Sequence, residues 1–357
     1  MKKLDWYILR TFLGTFFFSI ALIIIIVIVF DISEKIEDFV TNKPSFEQIV
    51  KFYLNFIPYF VNMFSPLFTF IAVIFFTSRL ATRTEVIAIL SSGVSFYRFL
   101  YPYFLGALVL AILSVYLNNS VIPHANKKRL DFENKYIFSP YRNKEINIHR
   151  QILPGTFIYM ERYNNQDNIG YKFSLEKLDK GKLYYKLLSE QIKWDSSINK
   201  WSILDYHERY LTSKGEIIKR GARIDTTYNF TPADFSRRVT NVETMNFTEL
   251  NTFIEEEKIK GASKIEFYEV EKYKRFANPF STFILTLIGV SLASRKVRGG
   301  TGLHLGLGLL IAFSYILFMQ VSHVFAQNGV LPAYIAVWIP NILYSFLAAF
   351  FVTRAQK

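Results

Sequence analysis

Six stretches of the chain are apolar over nearly their whole length: residues 11–30, 56–77, 99–119, 279–293, 303–325 and 333–352. Each approaches the roughly 20 residues that a helix needs to cross a bilayer. The fourth is the shortest, and Phe276 and Ala277 extend it ahead of a kink expected at Pro279. Pro58, Pro66 and Pro340 predict further kinks in the second and sixth runs. The first run is longer than the 7–15 residues of a signal-peptide core, and Asp31-Ile-Ser-Glu34-Lys35 follows it in place of small residues. It reads as a retained anchor.

Between the third and fourth runs the pattern changes. Residues 146–163, 170–178, 183–194, 201–211, 216–224 and 225–230 are short runs rich in Tyr, Ile, Leu and Thr. Asn164-Asn165, residues 179–181, residues 196–199 and Lys214-Gly215 separate them, which predicts a sheet-rich sandwich or barrel. Around Tyr184, Lys186, Leu188 and Glu190 the alternation is imperfect, because Leu183, Tyr185 and Leu187 place apolar groups on the other face as well. Either one face is core and the other receives an apolar ligand, with Tyr184 and Leu188 as contacts, or both faces are packed. Asn246 with Glu249 then resembles a helix cap ahead of Leu250, Phe253 and Ile254, that helix ends near Gly261, and residues 265–276 run helically into the fourth span.

The fold class is therefore an α-helical membrane protein with six transmembrane helices and an inserted all-β domain. Its parts are residues 1–120 (spans one to three), 121–245 (β domain), 246–278 (helical connection) and 279–357 (spans four to six).

Composition agrees with this division. The chain is 51% hydrophobic with 36 Phe, yet 20% charged, so the charge must be segregated along the sequence. Lys2, Lys3, Arg10, Arg79, Arg83, Arg98, Arg295, Lys296, Arg298, Arg354 and Lys357 occupy the two ends and two short connections, against Asp5 and Glu85. By the positive-inside rule these segments, both termini included, face the cytoplasm. Residues 120–278 then lie outside, which makes nucleic acid an implausible partner for their modest basic surplus.

The polar stretch between the second and third runs is the most informative. Read as one helix over residues 79–98, it aligns Ala81, Glu85, Ala88 and Ser92 in a stripe, with Val86, Ile87, Ile89 and Leu90 on the other side. One carboxylate among small residues suits docking into another protein's groove; the same pattern also fits an ordinary loop helix with a solvated face.

Catalytic and cofactor motifs are missing. No Gly-x4-Gly-Lys-Ser/Thr loop occurs, no Gly-x-Ser-x-Gly elbow occurs, Cys is absent, and the five His residues lack metal-ligand spacing. No ATPase site, metal or cofactor of the chain's own is expected. The spans carry only His304 and His323 as ionisable groups, against an ion-coupled transporter. The small-residue surface of Gly302, Gly306 and Gly308 allows close helix contact, either between subunits or within one bundle.

The order of three spans, an outer domain and three more spans, with Arg79-Leu-Ala-x-Arg-x-Glu85-Val-Ile-Ala-x-x-Ser-Ser-Gly93-Val-Ser95 after the second span, closely resembles the LptF/LptG permeases of lipopolysaccharide export. Ile57-Pro58 through Pro66, Phe157-Ile-Tyr-Met-Glu161, Trp201, Pro279 and Trp338-Ile-Pro340-Asn341 extend the resemblance over the whole chain. It implies a permease half of an ABC transporter in the bacterial inner membrane. Two permeases pair, a cytoplasmic ATPase dimer binds ATP, and β-jellyroll-like outer domains pass the glycolipid to a periplasmic bridge protein with its own jellyroll. By that resemblance Glu85 contacts the ATPase, Arg79, Arg83 and Ala88 flank the contact, and Gly93 ends the docking helix. Family members often carry basic residues near the outer end of the first span; here that region is net acidic and offers Lys35 as a head-group contact. Two rival uses share parts of this pattern: an ABC-type subunit for another lipid or lipoprotein cargo, and a non-transporting scaffold or sensor.

Overall fold

The computed structural model describes residues 3–137, 143, 145–212, 215–236, 239–262, 264–295 and 300–355; Lys2, Lys214, Lys296, Arg298 and Lys357, used above, lie outside them. Two compact units emerge. The first comprises residues 1–137, 242–248 and 266–357, and the second residues 138–241 and 249–265.

The first unit is helical. Its elements are α1 (Lys3–Asn42), α2 (Phe46–Thr82), α3 (Glu85–Ser91), α4 (Phe96–Tyr116), a π-helical turn at Leu117–Val121, α5 (Ile122–Tyr136) and, after the second unit, helices labelled α8 to α11 below. Among the described residues, six helices are long and apolar enough to span a membrane, with α4, the π turn and α5 acting as one. The spans are longer than their apolar runs. At about 1.5 Å per residue, the 40 residues of α1 reach well past a hydrocarbon core of about 30 Å. Residues 31–42, which read as a charged connection, are helical for a physical reason. Ile32 and Phe39 pack with Phe52, Tyr53, Phe56 and Phe132 in an aromatic cluster shared by α1, α2 and α5. The packed side of α1 thus continues past the apolar run, with Asp31 accepting a hydrogen bond from Tyr53 Oη at 2.9 Å on that same side while Glu34 and Glu37 are exposed.

The remaining helices are α8 (Ile265–Ala293), α9 (Gly300–Gln327), the short α10 (Ala333–Ala336) and α11 (Ile339–Arg354). Pro279 lies inside α8 and cannot donate a backbone hydrogen bond. Beside it, Asn341 Nδ2 donates to the Ala277 carbonyl at 2.8 Å, while Tyr315 Oη donates to Asn341 Oδ1 at 2.8 Å. In a bilayer no water is at hand to satisfy a buried amide, so Asn341 relies on Ala277 and Tyr315 as partners.

The second unit holds β1 (Ile146–Leu153), β2 (Thr156–Asn164), β3 (Ile169–Asp179), β4 (Lys182–Asp195), β5 (Lys200–Thr212) and β6 (Gly215–Thr226), then α6 (Ala233–Ser236) and most of α7 (Phe247–Ile259). The strands form one antiparallel sheet in the order β1 to β6, every neighbour joined by a hairpin, with no Greek-key crossing between them. The run at 146–163 is two strands, broken at Gly155 (φ 72°), where a Cβ would lie 2.6 Å from the Leu178 carbonyl oxygen. Residues 225–230 are not a separate strand: β6 continues to Thr226, and Tyr228 and Phe230 fold onto the sheet core.

The sheet core also explains the imperfect alternation. Asn147, Lys172 and Asp205, on β1, β3 and β5, adopt left-handed conformations with φ of 55°, 51° and 48°. The flanking pairs place them in a single transverse row with Glu161, Glu190 and Ala222. Across that row the buried positions slip by one residue. They run Ile158, Met160 then Tyr163 on β2, Leu175, Phe173 then Gly170 on β3, and Leu187, Ser189 then Ile192 on β4. A left-handed residue turns the chain so that the same face stays inward on both sides of a bend.

Trp201 anchors this core. It is fully buried, its Nε1 donates to the Phe230 carbonyl at 2.9 Å, and its ring meets Tyr163, Trp194 and Phe230. Replacing Trp201 with Ala should therefore cost about 3–5 kcal/mol. Proteolysis of the full-length protein in detergent should then begin within residues 146–226, with the helical unit still intact.

Candidate functional site

The segment that joins α2 to α4 is an elbow of three pieces. α2 runs to Thr82, and Arg83 then turns the chain, its N–H reaching the Arg79 carbonyl at 3.2 Å. Thr84 is left-handed at φ 60°, which separates α2 from α3. The single helix expected over residues 79–98 is therefore not continuous. Ala81 belongs to the buried end of α2 and does not share a stripe with Glu85. Gly93, at φ 85°, closes α3 with its N–H on the Leu90 carbonyl at 3.1 Å, and Ser95 caps α4. A positive φ favours glycine here, because Cβ would strain the backbone.

Val86 fixes the orientation of α3. It is fully buried in a cluster with Ile8, Phe12, Leu80, Phe96, Phe99 and Ala355, and Ile89 and Leu90 pack against the same cluster. Ile87 faces away at 40% exposure, contrary to the expectation that it packs inward. Successive helical residues are turned about 100° from one another, so with Val86, Ile89 and Leu90 toward the cluster, position 87 points away from it. The outer face of the elbow thus presents Glu85, Ile87, Ala88, Ser91 and Ser92. Glu85 lies 4.0 Å from Arg83, both side chains substantially solvated, an arrangement of small energetic value that leaves both groups available. Arg79 is exposed in the last turn of α2, where a cation complements the helix dipole.

The other sequence candidates lie elsewhere. Lys35 is largely enclosed: its Nζ sits 2.7 Å from Asp31 and 3.7 Å from Glu133, over the rings of Phe52 and Phe56. Its charge is satisfied within the helical unit. Tyr184 and Leu188 are exposed on β4, but Lys186 lies between them and pairs with Glu176 at 2.7 Å. That face is amphipathic, not a continuous apolar strip.

A second polar feature escaped the sequence reading. A cavity of about 180 Å³ opens among α2, the π turn, α5, α8 and α9, lined by Asn62, Asn118, Glu271, Lys274 and His323 among others. Arg275 donates to the carbonyls of Val242 and Met245 at 3.2 and 2.9 Å, Lys274 pairs with Glu271, and Arg129 faces Glu243 at 3.8 Å. Burial pushes the Glu243 carboxyl up from its ordinary value. These ions cluster at one end of α8, outside its apolar run, so a count of charges within that run misses them. The spacing Glu271, Lys274, Arg275 on one helix was the available signal.

Six spanning helices with an inserted antiparallel sheet and a solvated elbow define a multi-pass membrane protein. The family model described as lipopolysaccharide export system permease LptF/LptG matches residues 6–354, and the chain belongs to that family. It is a transport subunit of the lipopolysaccharide export system, which works together with other subunits. No curated protein matches the chain.

The elbow makes a paired prediction. Val86→Asp buries an unpaired carboxylate and should expose residues 83–93 to protease in the purified protein. Ile87→Asp, on the solvated side, should leave the same segment resistant.

Proposed function

We propose that this chain is one of two permeases that, driven by a separate cytoplasmic ATPase dimer, extract lipopolysaccharide from the outer leaflet of the bacterial inner membrane. The observation that carries the reading is the elbow: a short helix pinned inward by Val86 that offers Glu85, Ile87 and Ala88 outward, in a chain of the export permease family. In this reading both termini and α3 are cytoplasmic. The ATPase grips α3 through Glu85, with Arg79 and Arg83 beside it and Gly93 as the downstream hinge. Closure of the ATP-bound dimer then displaces the elbow, narrows the apolar cavity between the permeases and forces the lipid outward.

Pulling acyl chains out of the bilayer costs about 0.8 kcal/mol per CH₂ exposed to water. The lipid therefore needs apolar contacts throughout its passage, first in the membrane and then on the sheet unit, before a periplasmic bridge protein with a jellyroll of its own takes it. Tyr184 and Leu188 are candidate contacts on the sheet, with the Lys186–Glu176 pair placed to meet polar parts of the glycolipid.

Two experiments test this. Glu85→Lys should release the ATPase from the purified complex and abolish growth where export is essential; a variant that keeps both would sink the docking reading. A photo-crosslinker at position 184 or 188 should capture lipopolysaccharide only when ATP is supplied, and the absence of adducts in an assembled, hydrolysing complex would remove the sheet contact.

A further inference from the structure

Apolar packing is not all that holds the elbow. At the same end of the helical unit, Asp5 in the first turn of α1 is buried, and its Oδ2 accepts a hydrogen bond from Arg98 Nη2 at 2.6 Å. Arg98 is the third residue of α4, and its own backbone N–H donates to the capping Ser95 Oγ at 3.3 Å. A cation in the first turn of a helix meets the positive end of the dipole, which is unfavourable. A carboxylate buried in an apolar junction is costlier still unless it is paired. The Arg98 guanidinium thus offsets part of the cost of burying Asp5, and Asp5 offsets the cost of placing a cation at that helix start.

The pair is also well placed. Leu4, Ile8, Val94, Phe99 and Pro102 enclose it around a cavity of about 40 Å³, and Val94 directly follows Gly93, the end of α3. The guanidinium stacks over Tyr101 at 5.1 Å. A short charge-assisted hydrogen bond therefore joins the downstream hinge of the elbow to the base of α1. Of the six spans, α1 buries the smallest share of its apolar stretch, with Phe17, Phe18, Ile25, Val29 and Phe30 left exposed. Between its lower half, packed through Ile8, Phe12, Phe16 and Ile20, and the aromatic cluster around Phe39, the middle of α1 is little enclosed, so its base is one of the two places where its direction is held.

We propose that Asp5 and Arg98 are positioning residues that carry displacement of α3 into α1, so that movement of the elbow tilts the first span. The proposal rests on the reading that the ATPase docks on α3. In this role they act through the helices they join.

The test uses the complete permease–ATPase complex in vesicles containing lipopolysaccharide, with the bridge protein as acceptor. Three quantities are measured: ATPase retained on purification, ATP hydrolysed, and lipid delivered per ATP. Asp5→Asn should keep the ATPase and its hydrolysis while lipid delivered per ATP falls several-fold. Exchanging the charges, Asp5→Arg with Arg98→Asp, should recover more than half of the lost delivery. Unchanged delivery per ATP in Asp5→Asn overturns the proposal. So does loss of the ATPase in that variant, because the pair would then merely hold the elbow together, and so does an assembled charge-exchange complex that recovers nothing. If Glu85→Lys keeps its ATPase, the docking reading itself fails, whatever Asp5 does.

Discussion

A helix of seven residues cannot sustain itself. Isolated helices shorter than about 12–15 residues are marginal in water, and α3 lies well below that limit. Its existence depends on one buried side chain, Val86, seated where the ends of α1, α2, α4 and α11 meet in a common apolar cluster. That dependence gives the elbow its character. It has no internal reserve of stability, so its position follows the junction of the four other helices. Thr84 and Gly93, both left-handed, mark where the chain bends into and out of it.

The opposite end of the same unit is built on other physics. There the helices continue past their apolar runs into an aromatic collar, and charges are buried in compensated groups: Lys35 with Asp31 and Glu133, Arg129 with Glu243, Lys274 and Arg275 with Glu271. Buried ion pairs add little net stability, since desolvation offsets their attraction. Their geometry is nonetheless particular. Arg275 fastens the carbonyls of Val242 and Met245 to α8, and Asn126 reaches the Glu243 carbonyl at 3.4 Å. The chain segment at 242–245 is thereby held against the bundle by directional bonds.

How much of this was legible in the sequence follows from the range of each interaction. The six spans were, because a run of twenty apolar residues carries its own meaning. Their ends were not: residues 31–42 of α1 look like a charged loop until Phe52 and Phe132, from other helices, supply the surface that Ile32 and Phe39 cover. The strands were visible as runs and turns, but the break at Gly155 and the shift in facing at Lys172 and Asp205 depend on backbone angles that composition does not signal. At the elbow, helical spacing put Glu85 and Ala88 on one face, and the family resemblance marked Gly93 as the end of the helix. The separation of Ala81 from that face was not legible, since it arises from one left-handed threonine. Least legible was the bond from Arg98 to Asp5, whose partners lie 93 residues apart.

The row of left-handed residues across the sheet has an implication for how its strands are used. A single strand normally has one set of inward positions and one outward, and a change of one register step exchanges them completely. Here that exchange is built in at mid-strand, so β4, with 14 residues, is two short strands end to end, each with its own assignment of faces. One panel is filled by Trp201, Tyr163 and Phe235. The other is free to be shaped by different demands, because nothing about its side-chain alternation is dictated by the first.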